Sequence, residues 1–366
     1  MNDHRSPDRP AARAPARGGS GRTMLNLCLQ GGGAHGAYTW GAIDRLLEEP
    51  SIEIAGISGT SAGAVNAAVL ADGLRRGGNP GGREALGRFW RELGQMPGLA
   101  AVSNPMVRRA LGEWHLDNSP TYLAMDLISR LLSPYALNPS RFHPLRDILE
   151  AHVDFAALRA PEAPRVVVCA TCVSTGQRRL FDNTSLSVEA VLASTCLPSL
   201  FPAIEIDGEA LWDGGFTGNP PMYALHLRSL AEDFLIIRIN PLRRAEIPTQ
   251  ARDIINRVNE VSFNATFVLE LQTFALVQNL LREEGLGGHR LARLRLHCIE
   301  AEDALSTLGA SSKLNNEPAF LEYLFDIGRR AADTWLAENR AGLGTRSTFD
   351  LTPLVTQLEH HTTPAV

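Results

Sequence analysis

Apolar periodicity is absent from Met1 to Arg22 and begins abruptly at Met24. Met24 to Gln30 is a short apolar run of strand character that empties into Gly31-Gly32-Gly33-Ala34-His35-Gly36. Ala37 to Glu49 then carries Tyr38, Ile43, Leu46 and Leu47 at near-helical spacing. A second apolar run, Ile52 to Ser58, leads into Gly59-Thr60-Ser61-Ala62-Gly63 and an alanine-rich helix through about Leu70. The opening therefore predicts βαβα, the pattern of a parallel sheet covered by helices. Glycines and arginines from Gly73 to Arg83 predict a loop, followed by a helix over Glu84 to Leu93. From Gly94 to Pro144 the pattern is irregular and punctuated by proline, with an amphipathic helix predicted at Tyr122 to Leu132. This stretch is the cap or lid candidate.

Strands resume at Arg165 to Val173 and Arg178 to Asp182, and Ser187 to Ala193 reads as a short helix. Ala203 to Ile206 and Glu209 to Trp212 flank Asp207-Gly208, a hairpin signal, and the hairpin delivers Asp213-Gly214-Gly215. Phe234 to Asn240 predicts a buried strand, Thr249 to Glu284 a long helical region and Leu291 to Glu300 a further strand. Glu317 to Glu338 predicts a final helix with Phe320, Leu324, Ile327 and Ala331 on one stripe. The expected organisation is a basic tail over 1–22, one α/β domain over 23–340 carrying the 94–144 insert, and a loosely structured tail over 341–366.

Composition narrows the function classes. Of 366 residues, 44% are apolar and 20% charged, which suits a folded globular chain. The net charge of −5 gives no whole-chain reason to expect a nucleic-acid partner. No run of about 18 uninterrupted apolar residues occurs, so no spanning helix is expected and membrane contact would be peripheral. The tail's arginines allow contact with an anionic membrane, although a flexible end is the simpler expectation. Five cysteines, an odd count largely within strand-like runs, favour buried thiols in a reducing, cytoplasmic setting. Cys169 and Cys172 form a Cys-x-x-Cys pair, but on a strand residues three apart face opposite ways, so the two sulfurs do not converge on a metal.

Gly59 to Gly63 is a Gly-x-Ser-x-Gly elbow between a predicted strand and a predicted helix. A serine on so sharp a turn needs unbulky neighbours two positions to either side, here Gly59 and Gly63, and sits where a helix N-terminus favours developing anions. The competing reading of Ser61 is an ordinary helix N-cap. The Gly31-Gly32-Gly33 turn can aim unobstructed main-chain amides at an oxyanion. Gly31, Gly33 and Gly36 also satisfy a dinucleotide fingerprint, with Glu53 as its acid. That acid belongs at the end of the second strand, however, and Glu53 sits near its start. For a base, the order Ser, acid, His leaves His226, His289, His297, His360 and His361, with His297 best placed near a strand end. The alternative is Asp213 itself, followed by Gly214 and Gly215, which permit close approach of another backbone.

Taken together and in order, Gly31 to Gly36, Gly59 to Gly63 and Asp213 to Gly215 resemble the three signatures of the patatin-like phospholipases. Ala193-Ser194 to Pro198 and Phe201-Pro202 resemble the segment before that family's Asp motif. The resemblance covers Met24 to Glu300, and Ser311 to Leu336 is similar to the tail of a bacterial branch. It implies a three-layer α/β fold with a central, mostly parallel sheet flanked by helices. It also implies a Ser61–Asp213 dyad, Gly31, Gly32 and Gly33 as oxyanion hole, and Gly36, Gly214 and Gly215 in support. The reaction implied is calcium-independent cleavage of lipid or fatty acyl esters through an acyl-enzyme, without metal or organic cofactor. His35 departs from the Arg or Lys of many members, which removes a permanent charge at that point. Two alternatives stand beside this reading: a hydrolase of soluble or storage esters or thioesters with the same dyad, and a nucleotide-binding protein without serine chemistry. For lipid access, the stripe Phe263, Phe267, Leu271 and Phe274 and the Tyr122 to Leu132 helix are candidates, with core packing as the simpler account of the stripe. Oligomeric state is not set by the sequence.

Overall fold

The computed structural model describes residues 21–97, 114–117, 119–244 and 247–352. The expected tails through residue 20 and from 353, His360, His361 and positions 98–113 and 118 of the insert lie outside these residues. The chain opens as expected: β1 (Thr23–Leu29), α1 (Gly36–Leu46), β2 (Ile52–Thr60) and α2 (Ala62–Gln95). The loop expected over 73–83 is instead helical, interrupted only at Gly77 and Gly78, where φ is −152° and +59°. The glycines there serve packing. A Cβ on Gly73 would stand 2.6 Å from the Gly81 carbonyl, and one on Gly82 would stand 2.9 Å from Leu70 Cδ1.

After α3 (Pro120–Leu131), α4 (Pro134–Leu137) and α5 (Leu145–His152) the sheet continues with β3 (Arg165–Cys172), β4 (Arg178–Asp182), α6 (Val188–Ser194), β5 (Ile204–Ile206) and β6 (Glu209–Asp213). The β5–β6 turn has positive φ at both Asp207 (53°) and Gly208 (81°), as a tight hairpin requires. Then follow α7 (Met222–His226), β7 (Asp233–Ile237), α8 (Ala251–Glu283), β8 (Arg295–Ile299), α9 (Glu302–Ser306) and α10 (Pro318–Asn339).

The strands form one mixed sheet in the order β5-β6-β3-β2-β1-β7-β8, with β4 also paired to β3. β3, β2, β1, β7 and β8 run parallel, and β4, β5 and β6 form the antiparallel side. Alternate strand residues face two cores. Leu25, Leu27, Leu29, Val168, Leu235 and Ile237 pack with α1, α2, α6 and α10. Cys28, Val167, Phe234, Ile236 and Leu296 pack with α7 and α8. The result is three layers, helices on both faces of a mostly parallel sheet. All five cysteines are buried and none is in a disulfide. α1 and α10 cross closely, since a Cβ on Gly41 would meet the Phe325 carbonyl at 2.0 Å and one on Gly328 the Tyr38 carbonyl at 2.0 Å.

Candidate active site

The carboxyl end of β2 is where the sheet turns its pairing. β4 lies along one edge of β3, so β2 and β6 must share the other. Thr60 pairs with Cys169, and the next β3 residue, Ala170, pairs with Asp213. Two consecutive residues of β3 thus set the last residue before the elbow beside the last residue of the hairpin, although these are far apart in sequence.

Ser61 follows Thr60 with φ 55° and ψ −123°, a region that a side chain enters only under strain, at a cost of about 1–3 kcal/mol. It occupies the N-cap of α2, yet its hydroxyl makes no capping bond. Its amide donates to Ser194 Oγ at 2.9 Å and its carbonyl accepts from the Ala64 and Val65 amides. The elbow needs its glycines. A Cβ on Gly59 would sit 2.2 Å from the Gly63 carbonyl, and one on Gly63 would sit 2.1 Å from the Leu29 carbonyl.

Asp213 is fully buried. Its main chain is held by an amide bond to the Cys196 carbonyl (2.8 Å) and by the Thr171 hydroxyl donating to its carbonyl (2.8 Å). Oδ1 accepts from the Gly215 amide at 2.8 Å. Oδ2 has no partner that meets full hydrogen-bond geometry, although the Ser61 hydroxyl lies near enough to favour the ionised form. Burial outweighs these donors and pushes the carboxyl up to about 7, with the Gly215 amide, the Ser61 hydroxyl and the Lys313 charge opposing it. Gly214 is pressed on the Cys169 carbonyl and Gly215 on the Phe263 ring, with hypothetical Cβ distances of 2.0 Å in both cases.

The glycine turn lies against the same spot. A Cβ on Gly31 would be 2.7 Å from both Ser61 Cβ and the Thr60 carbonyl, and one on Gly36 would be 2.9 Å from Ala62 Cβ. The Gly31 amide, however, donates to Asn219 Oδ1 at 2.7 Å. The Gly32 and Gly33 amides meet no protein acceptor among the described residues. Gly33 takes a left-handed φ of 58° and rests on the Lys313 carbonyl. His35 is buried and bonds Ser312 Oγ through Nε2 (2.7 Å); burial and the Lys313 charge push its imidazole down to about 3, so it is neutral.

Of the histidines considered as bases, those among the described residues lie elsewhere. His297 is buried between Asp233 (3.0 Å) and Thr348 (2.9 Å), and Asp233 opens β7 at the end of the sheet away from Ser61. His226 lies beside Arg290, and partial burial together with that charge pushes its imidazole down to about 4. Glu53, the acid of the dinucleotide alternative, is the second residue of β2, likewise remote from the glycine turn. Phe267 and Leu271 of the apolar stripe are fully buried, so that face of α8 is core. The opposite face exposes Val258, Val261, Leu269 and Leu276, and α3 exposes Leu123, Leu127 and Ile128. No helix among the described residues is long and apolar enough to cross a membrane. Sequence reasoning assigned no role to Ser194, Asn219, Asn240 or Lys313, since a single polar residue inside a helix or turn carries no spacing signature.

Sheet, elbow and glycine turn define a three-layer α/β protein with the elbow and the glycine turn at the carboxyl ends of the parallel strands. The profile of the patatin-like phospholipases matches residues 27–226, more than half of the chain. The chain belongs to the patatin-like phospholipase family, whose members act on lipids. No curated protein is significantly similar in sequence. Among solved structures, that of VipD from Legionella pneumophila aligns with 84% of this chain and 67% of its own at 16% identity, with a TM-score of 0.33.

Proposed function

We propose that this protein is a serine-dependent lipid acyl hydrolase in which Ser61 is the nucleophile and Asp213 its general base. The observation that carries the reading is the pairing of an uncapped, strained serine with a fully buried carboxyl whose pKa is about 7. A carboxyl of ordinary acidity would be a feeble base, and a group poised near neutrality accepts a proton efficiently.

Ionised Asp213 takes the Ser61 proton as Oγ attacks the ester carbonyl, and the resulting oxyanion receives the Gly32 and Gly33 amides. Gly31 contributes close approach, its own amide being held by Asn219. Asp213 returns the proton to the leaving alcohol, and water then cleaves the acyl-enzyme with Asp213 again as base. No histidine takes part. The sheet edge and the elbow support this geometry, and the substrate class follows from the family.

Turnover of a p-nitrophenyl ester and of phospholipid vesicles tests the reading. Ser61→Ala and Asp213→Asn are expected to lose about 10⁴-fold in kcat, whereas His297→Ala and His226→Ala keep the activity of each folded molecule. Wild-type kcat/KM should rise with pH through about 7 as Asp213 ionises. Loss of turnover in His297→Ala equal to that in Asp213→Asn would replace the dyad with a triad.

A further inference from the structure

We propose that Lys313 is a positioning residue of the Ser61 site: its ammonium pins the glycine turn through Asn240 and supplies the positive charge that faces Asp213. The assignment rests on the Ser61–Asp213 reading above.

Lys313 lies in a 3-10 turn, Ala310–Leu314, between α9 and α10. Its Nζ donates to Asn240 Oδ1 at 2.8 Å, and Asn240 Nδ2 donates to the Gly31 carbonyl at 2.8 Å. The Asn240 amide is itself fixed on Gln30 Oε1 (3.1 Å), the residue before the turn. Its neighbour acts on the far side of the same turn: Ser312 Oγ donates to the Gly309 carbonyl at 2.6 Å and so accepts from His35 Nε2. Between these two points the Lys313 carbonyl fills the space where a Gly33 side chain would stand, 2.3 Å from a hypothetical Cβ. Residues 312 and 313 therefore hold the glycine turn at Gly31, Gly33 and His35, while Asn219 holds it at the Gly31 amide. Oxyanion donors work only when their direction is fixed before the charge develops.

Two carboxylates act on Lys313, Glu260 the more strongly and Asp213 after it, with Arg244 opposing them. Glu260 of α8 is paired with both Arg244 and Arg257. His35 carries no charge. Lys313 is thus the cation whose field reaches the buried Asp213 carboxyl, and its own ammonium is withdrawn from solvent, which pushes its pKa down. In a site with little water such a charge acts strongly on a neighbouring carboxylate.

The test uses the full chain, p-nitrophenyl butyrate, and pH profiles of kcat and kcat/KM, with folding followed by circular dichroism. Lys313→Met is expected to lower kcat by about tenfold or more, with KM changed by less than about threefold. Its acid limb should move to higher pH by at least about half a unit, because removing a cation makes Asp213 harder to ionise. Lys313→Arg should restore the limb, and Asn240→Ala should lower kcat while leaving the limb in place. Lys313→Gln, which removes the charge and keeps an N–H donor one atom nearer the backbone, carries the test if the Met variant does not fold. An active wild type whose Lys313→Gln variant keeps both kcat and acid limb overturns this assignment alone. A wild type that turns over no ester and takes no fluorophosphonate overturns the dyad on which it rests.

Discussion

Asp213 is the residue at which stability and the proposed chemistry oppose each other. Its side chain is buried beside a hydroxyl and one amide, too few donors to offset the loss of water, so the folded chain holds its proton up to about 7, against an ordinary value of 3.8. Between these values the folded state binds a proton that the unfolded state has released, so acid in this window favours folding and rising pH removes that advantage. Asp213→Asn, which cannot ionise, is therefore expected to raise Tm by a few degrees at pH 8 and to raise it less as pH falls toward 4. A thermal melt series against pH reads this, and a variant less stable than wild type at pH 8 would contradict it. Ser61 and Asp213 are visible in the sequence because glycines surround them, and glycine marks strained or crowded backbone. Asn219, Asn240 and Lys313 are not, because one buried amide or ammonium has no periodic signature and its partner is known only once the chain is folded.

At the scale of elements, the elbow depends on atoms outside it. Gly63 is limited by the Leu29 carbonyl of β1, a backbone atom with nowhere to go. Gly63→Ala should therefore cost about 1–3 kcal/mol or more and lose most turnover, since β1 and the elbow must separate. Gly77→Ala, at the kink in α2 with nothing within 4 Å of its Cβ, should stay within about 0.5 kcal/mol of wild type. Chemical denaturation of the pair decides it, and equal effects would remove the packing argument. The same contrast explains which elements the sequence reveals. β1 and β2 show as continuous apolar runs because both faces are buried, and α10 follows its helical period because it buries one stripe. The Gly73 to Arg83 stretch reads as a loop because glycine density signals turns, whereas here Gly73 and Gly82 let two helical segments pack closely. The apolar stripe of α8 reads more simply as core than as a lipid-facing surface, and its position against β7 and β8 shows it to be core.

At the scale of the molecule, β6 takes over from β2 along a single edge of β3, bringing residues 61 and 213 of the proposed site together at Thr60↔Cys169 and Ala170↔Asp213. The sequence predicts the parallel half of the sheet from its βαβα opening, but strand order across the antiparallel half follows from no local pattern. That hand-over point is the physical basis of the proposed chemistry, since it alone sets a hydroxyl at the start of α2 against a carboxyl at the end of a hairpin. Mass-spectrometric mapping of a fluorophosphonate adduct on folded wild-type and Asp213→Asn protein tests it most directly. The account predicts a single adduct on Ser61 in the wild type and none above background in the variant; an adduct on a different serine, or equal labelling of Ser61 in both proteins, would contradict it.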